Sequence, residues 1–259
     1  MLLGIDTSGA VSVAVARGEL PAAGAVGGAA GHTSAAGGPE VLAVRADTRS
    51  RHHDEVLLTL IDETLQAAGT TRGELTGVVV GRGPGPFTGL RVGLVSARSI
   101  AEVLGVPLHG LSSLDALAHQ ALAELDAVAD NPAEGAEGEH SEVTTVGVAL
   151  DARRREVYHA RYRRGADGIV ERIQDPAVDA PADVAATLTA CDVLVGSGTA
   201  LYPELLPATA ELSHVDAGHL ILAAAALSAR SVDLTSTEPM YLREPDAALP
   251  SARKSTLGR

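Results

Sequence analysis

The stretch VVVGRGPGPFTGLRVGLVSARSIAEVLG, Val78 to Gly105, carries an apolar run into a glycine-proline turn and then into a long helical pattern. Strand, glycine-rich turn and helix in that order hold phosphate in many nucleotide-binding proteins, so the first matter is whether this turn can. A P-loop requires G-x-x-x-x-G-K-[ST], because its lysine reaches the phosphates and its hydroxyl holds magnesium. The one lysine of the chain is Lys254, near its end. The dinucleotide fingerprint G-x-G-x-x-G fails as well: counted from Gly81 the third glycine position is Pro86, and counted from Gly83 it is Thr88. Pro84 and Pro86 lack the backbone N–H that an anion nest would use. The turn is stiff rather than cradling, and interest passes to the helix it launches.

Along that helix Gly93, Ala97 and Ala101 recur at i, i+4 and i+8, flanked by Leu90, Leu94 and Ile100. A strip of small side chains lets another helix approach closely. Apolar or small residues also occupy more than one side, the polar set being Arg91, Ser96, Arg98, Ser99 and Glu102. A helix apolar over much of its circumference needs cover on two faces. The chain's own sheet accounts for one, and the helical spacing of Leu57, Ile61, Leu65 and Ala68 in HHDEVLLTLIDETLQAAG supplies part of another. The remainder points to a protein partner.

Upstream, MLLGIDTSG and AVSVAVARG alternate as two strands joined at a Thr-Ser-Gly turn, and VLAVRADT reads as a third. Residues 21–40, PAAGAVGGAAGHTSAAGGPE, carry no period and read as a flexible insertion. Downstream, Ser99 to Ala152 contains no Lys or Arg while Glu124, Asp126, Asp130, Glu134, Glu137, Glu139 and Glu142 accumulate, which reads as a solvated acidic linker over about 124–142. The chain then begins again. VGVALDARRREVYHARYRR repeats the strand-Asp-turn-strand of the first hairpin, and DVLVGSGTALY matches GVVVGRGPGPF. Asp6 to Gly81 spans 75 positions and Asp151 to Gly196 spans 45, a difference of which the insertion explains about 20. Strand-Asp-turn-strand is a common pattern, so chance similarity stays open beside duplication. Under duplication the chain folds as two α/β lobes facing each other.

Composition narrows the function classes. The 259 residues carry 20 Lys plus Arg against 33 Asp plus Glu, a net charge of −13, which opposes nonspecific attraction to nucleic acid or anionic membrane. With one Phe, four Tyr and no Trp, the core is aliphatic. The single cysteine, Cys191, forms no internal disulfide and fits a reduced, cytoplasmic compartment as a buried thiol. No basic leader or run of 18 apolar residues points to a membrane. The nine histidines include no H-x-x-x-H pair, which would converge on one ion from successive helical turns. His52 and His53 are adjacent, His214 and His219 are five apart, and no metal site is expected.

In their order, GIDTSGAVSVAV, HHDEVLLTLIDETL, GRGPGPFTGLRVGLVSARSIAEVLGVPLHGLSSLDALA, ALDARRREVYHARY, GSGTALY and EPMYLRE resemble the TsaB (YeaZ) family of tRNA threonylcarbamoyladenosine biosynthesis over nearly the whole chain. The G-P-G-x-F-T-G-L-R block is the most specific element. The resemblance implies a duplicated, two-lobe α/β fold of the actin-like, sugar-kinase-like (ASKHA, ribonuclease H-like) class, with lobes expected over 1–108 and 109–259 and the C-terminal segment returning to the first. It implies no catalytic residue and no cofactor of its own. The partners implied are the catalytic paralogue TsaD, which transfers the threonylcarbamoyl group to adenosine 37 of tRNA, and the ATPase TsaE. tRNA would be met only through the complex, and the chain alone could form a homodimer. Expected at the partner interface are His53, Leu57, Ile61, Leu90, Gly93, Leu94, Ala97 and Ala101. Asp6, Thr7 and Ser8 stand where a kinase of this fold holds phosphate and magnesium, with Asp151 as counterpart and Gly196 and Gly198 near an adenosine-like position. Turn formation by these residue types is the alternative. A glycoprotease-like peptidase and a small-molecule kinase are the rival activities; no H-x-x-x-H, H-E-x-x-H or Ser-His-Asp spacing supports the first.

Overall fold

The computed structural model describes residues 1–21, 38–49, 53–129, 145–165 and 168–243. Most of the expected insertion, and all of the expected acidic linker after Ala129, lie outside these residues. Its earlier part is a correction: Glu124 and Asp126 belong to a helix, α3 (Ser113–Ala129), where Glu124 accepts a hydrogen bond from Gln120 and Asp126 pairs with Arg164. The apolar period Leu114, Leu117, Ala121, Leu122 buries one face of that helix and so outweighs its acidic composition.

β1 (Leu2–Asp6), β2 (Val11–Arg17) and β3 (Glu40–Asp47) form an antiparallel meander, because LLGID and VSVAVA are apolar on both faces and turn back at Thr7-Ser8-Gly9. After α1 (His53–Ala67), β4 (Gly77–Gly81) joins β1 in parallel; after α2 (Phe87–Leu104), β5 (Leu108–Leu111) joins β4. The sheet order is β3-β2-β1-β4-β5. β5 thus spans the boundary expected at 108/109 and stays with the first sheet.

The second sheet repeats the plan. β6 (Thr145–Asp151), β7 (Val157–Arg164) and β8 (Val170–Asp179) form an antiparallel meander, and after α4 (Pro181–Leu188) the short β9 (Val193–Val195) lies parallel to β6. The order β8-β7-β6-β9 matches the first four strands of the other sheet, so the suspected repeat is present as topology. α5 (Ser197–Leu201) and α6 (Ala217–Ala229) complete the described helices.

Helices and sheets alternate. α1 and α2 cover one face of the first sheet, α4 and α5 cover the far face of the second, and α3 with α6 lie between the two sheets. Among the described residues no helix is long and apolar enough to cross a membrane.

Where α3 meets α6, His119 and His219 approach with Nδ1 atoms 3.3 Å apart. Burial, and then the neighbouring His219, push His119 down to about 4 against the pull of Asp126. Burial also lowers His219, opposed by Asp216 and Glu124. Both rings are neutral at pH 7, so at most one proton lies between them. In the unfolded chain each titrates near its ordinary value of about 6.5. The unfolded state therefore takes up protons first, and stability falls as pH drops from about 6.5 towards 4. Burial lowers His109 and His214 too, with the same sign. The melting temperature is expected to fall between pH 7 and pH 4.5 in a thermal series, and His119→Gln should flatten that slope without removing it.

Candidate functional site at the strand tips

The carboxyl ends of parallel strands are where open α/β sheets place ligands, and both lobes turn these ends towards one cleft. In the first lobe β1 ends in Asp6-Thr7-Ser8. Asp6 is fully buried, its Oδ1 accepting from the Ser8 amide at 2.9 Å and the Ser8 hydroxyl at 2.6 Å, and its Oδ2 from the Ser113 hydroxyl at 2.6 Å. Burial raises its pKa, and the hydrogen bonds from Ser113 and Ser8 draw it back.

The glycine-proline turn presses directly on this corner. A Cβ at Gly81 would lie 1.8 Å from Asp6 Oδ2, and one at Gly85 would lie 2.4 Å from the Ser8 carbonyl oxygen. The Thr7 hydroxyl donates to the Gly89 carbonyl at 2.8 Å, and a Cβ at Gly93 would lie 2.3 Å from Thr7 Oγ1. The glycines let the turn and the start of α2 sit on the Asp6-Thr7-Ser8 corner and close it.

A cleft of about 730 Å³ remains between the lobes. Of the six residues expected in a nucleotide-like cleft, Ser8 and Asp151 line it, while Asp6 and Thr7 are sealed beneath. Asp151 accepts from the Arg153 amide at 2.7 Å and pairs with the Arg153 guanidinium at 3.0 Å. Gly196, at φ 118°, and Gly198 serve close approach: a Cβ would lie 2.1 Å and 2.9 Å respectively from the Ala149 carbonyl oxygen, so these glycines let α5 rest on β6. Ser197, Ser213 and His214 add polar groups to the cleft wall. Burial lowers the His214 pKa and Asp6 opposes it, leaving a neutral ring beside neutral hydroxyls and one Asp–Arg pair. Among the described residues no group of three or more His, Cys, Asp or Glu is arranged to hold a metal. Cys191 is buried.

The strip on α2 is turned away from any partner. Leu90, Gly93, Leu94, Ala97 and Ala101, with Leu57 and Ile61 of α1, are buried in this chain. The leucines and alanines pack with Leu3, Ile5, Val13, Val78 and Val80, and Gly93 packs against Thr7. Their expected place at a partner interface is corrected on that ground: the outer face of the first sheet is itself aliphatic and takes the apolar stripes of both helices. His53 opens α1. Beyond Phe87 at its start, the large apolar side chains that α2 leaves outside are Val95, 64% exposed, and Val103, 84% exposed; α1 leaves Leu58, 56% exposed.

Several residues were not singled out by sequence. Ser112 caps α3, its hydroxyl accepting from the Leu114 amide at 3.3 Å, and Ser113, the first helical residue, reaches Asp6. His214 carries no signal, since only the fold brings it to Gly9. The strap formed by residues 236–243 was legible only as the tail motif EPMYLRE. Arg82 donates to Ser236 Oγ at 2.7 Å, Arg98 to Thr237 Oγ1 at 3.0 Å and Arg91 to the Tyr241 hydroxyl at 3.1 Å. At its far end Arg243 donates to the Ala152 carbonyl at 3.2 Å and pairs with Glu156, crossing from one lobe to the other.

The family model described as TsaD: tRNA N6-adenosine threonylcarbamoyltransferase matches residues 44–189. The structure of YeaZ from Pseudomonas aeruginosa superposes with a TM-score of 0.68 at 27% identity, covering 93% of this chain and 99% of that one. The tRNA threonylcarbamoyladenosine biosynthesis protein TsaB of Escherichia coli K12 is 31% identical over 158 residues, 60% of this chain and 62% of that protein. The chain belongs to the TsaB/YeaZ family. An uncharacterized protein of Mycobacterium tuberculosis H37Rv is 36% identical over 207 residues, 80% of this chain and 82% of its own. The TsaB/YeaZ family acts in tRNA threonylcarbamoyladenosine biosynthesis, and its actin-like fold accounts for the paired sheets of this member.

Two outcomes follow from the closed corner and the buried strip of this TsaB-family chain. Asp6→Asn places an amide where a carboxylate accepts three hydrogen bonds, and chemical denaturation should show a loss of about 1–3 kcal/mol. Ala97→Glu buries an unpaired carboxylate under the first sheet and should leave a largely unfolded chain by circular dichroism.

Proposed function

We propose that this chain is the noncatalytic, activating partner in threonylcarbamoylation of adenosine 37 of tRNA, acting in the cytoplasm. It docks on the catalytic paralogue TsaD through the outward side of α1 and α2, and TsaE joins the assembled pair. The observation that carries this reading is the set Leu58, Val95 and Val103, large apolar side chains held in water on two helices whose other sides are already committed to the sheet. At 100° per residue Val92, Val95, Ser99 and Val103 share one side of α2, free of charge and small enough for a helix to lie against. The closed Asp6 corner supports a noncatalytic role, since the carboxylate at the tip of β1 is engaged by Ser8 and Ser113. Without the transferase the same apolar side suits a second copy of this chain.

Val95→Glu is expected to fold as the unsubstituted chain does and to weaken assembly with TsaD by about a hundredfold or more, read by isothermal titration and light scattering. Unchanged assembly by a folded Val95→Glu, Leu58→Glu double variant would remove this face from the interface.

A further inference from the structure

The turn between β6 and β7 holds three consecutive arginines in the left-handed region, Arg153 at φ 62°, Arg154 at φ 54° and Arg155 at φ 64°. Residues with a Cβ disfavour this conformation, and Gly, Asn or Asp are the ordinary occupants. Backbone bonds close the turn: Ala152 N–H donates to the Glu156 carbonyl at 3.1 Å, and Glu156 N–H to the Arg153 carbonyl at 3.0 Å. Closure makes no demand for arginine side chains at 154 and 155, and all three arginines are exposed. Strained residues that the local fold does not require are a mark of function.

The strap extends this turn into a longer surface. Arg243 is fastened to Ala152 and Glu156, Tyr241 stacks with Phe87 at 4.9 Å between ring centroids, and the Arg91 guanidinium lies 3.7 Å over the Phe87 ring. Arg98 follows about two helical turns further along α2, bonded to Thr237. Phe87 is 45% exposed and Tyr241 40% exposed, two of only five aromatic residues in the chain. Among the described residues six arginines therefore share this track with three carboxylates, Asp151, Glu156 and Glu238, on a protein whose net charge is −13.

We propose that this arginine and aromatic track, from the Arg153–Arg155 turn along the strap to Arg98, is a contact surface for RNA. The guanidinium groups meet the phosphate backbone and the Phe87–Tyr241 pair offers a face to an unpaired base. RNA fits better than an acidic peptide because exposed rings beside arginines match bases as well as phosphates. The net charge of −13 disfavours a polyanion on the molecule as a whole, so a local arginine track also fixes orientation. The proposal rests on reading the chain as the transferase's partner and names the part of the assembly that the tRNA touches.

The test uses the full chain assembled with TsaD, an unmodified fluorescein-labelled tRNA transcript, and the double variant Arg154→Asn, Arg155→Asn. Asparagine tolerates the left-handed backbone, so the turn persists. Fluorescence anisotropy should show tRNA affinity falling at least about tenfold, with the salt dependence shallower by about 2 in log–log slope, while light scattering shows assembly unchanged. Unaltered affinity and slope in an intact assembly would overturn the proposal, and loss of assembly would also overturn it by making the turn a protein interface. If the unsubstituted chain does not assemble with TsaD, the reading under Proposed function fails instead. The track is then judged on the chain alone in low salt: binding of the transcript that the double variant loses supports it, and no binding overturns it.

Discussion

Everything in this fold depends on two helices packed against each other between the sheets, α6 on the first sheet and α3 on the second. α3 and α6 lie in the middle, and the largest apolar cluster runs from Leu2, Ala14 and Val79 of the first sheet through both helices to Val146, Val148 and Tyr162 of the second. A helix sandwiched between a sheet and another helix must be thin and apolar on several sides. The sequence AGHLILAAAALSA of α6 meets that need, with Ala217, Gly218, Ala223, Ala224 and Ala225 buried. The approach is tight enough that a Cβ at Gly4 of β1 would lie 2.6 Å from the Ala217 carbonyl oxygen, and the Ala217 amide donates to Ser12 Oγ at 2.9 Å. The scarcity of aromatic residues fits this close layering. Tyr158 and Tyr162 of β7 are the aromatic members of this cluster, and the Tyr162 hydroxyl is spoken for by Asp115 at 2.8 Å, which Arg172 also holds.

The same close packing decides the character of the strand tips. An acidic residue at the end of β1 with a Thr-Ser turn is the raw material of a phosphate site, yet here each polar group is met by protein. Gly81, Gly85 and Gly93 bring backbone so near that no room is left around Asp6 and Thr7. The second lobe keeps its tip more open: Asp151 lines the cleft, and its carboxylate is occupied by Arg153. The two lobes share a topology but finish their first strands differently, one with a closed corner and one with an arginine turn.

Much of the architecture was legible from periodicity. Alternation in VSVAVAR, helical spacing in Leu57, Ile61 and Leu65, and the second strand-Asp-turn-strand at Asp151 all correspond to elements in the structure. The side of α2 that faces the sheet was not legible. Its small strip, Gly93, Ala97 and Ala101, permits close approach by any flat apolar neighbour, and composition cannot distinguish a sheet from another helix. The acidic start of the expected linker misled for a related reason. Net charge reports on the solvent side of a helix, and α3 carries Glu124 and Asp126 there while Leu117 and Ala121 are buried. His214 and the strap contacts join residues far apart in the sequence, which no local pattern encodes.

The strap adds a constraint that the sheets alone would not impose. Between Arg82 and Arg243 it is held to α2 by side-chain bonds from Arg91 and Arg98 and by the Phe87–Tyr241 stack, and to the second lobe by bonds to Ala152 and Glu156. A hinge about the α3–α6 layer that widened the cleft would have to stretch this tie or release one end. Among the described residues the attachments to α2 are several, one of them aromatic, and the side-chain bonds to the turn of the second lobe come from Arg243. Arg243 fastens the strap beside the Arg153–Arg155 turn, so whatever engages that turn also acts on the tie between the lobes.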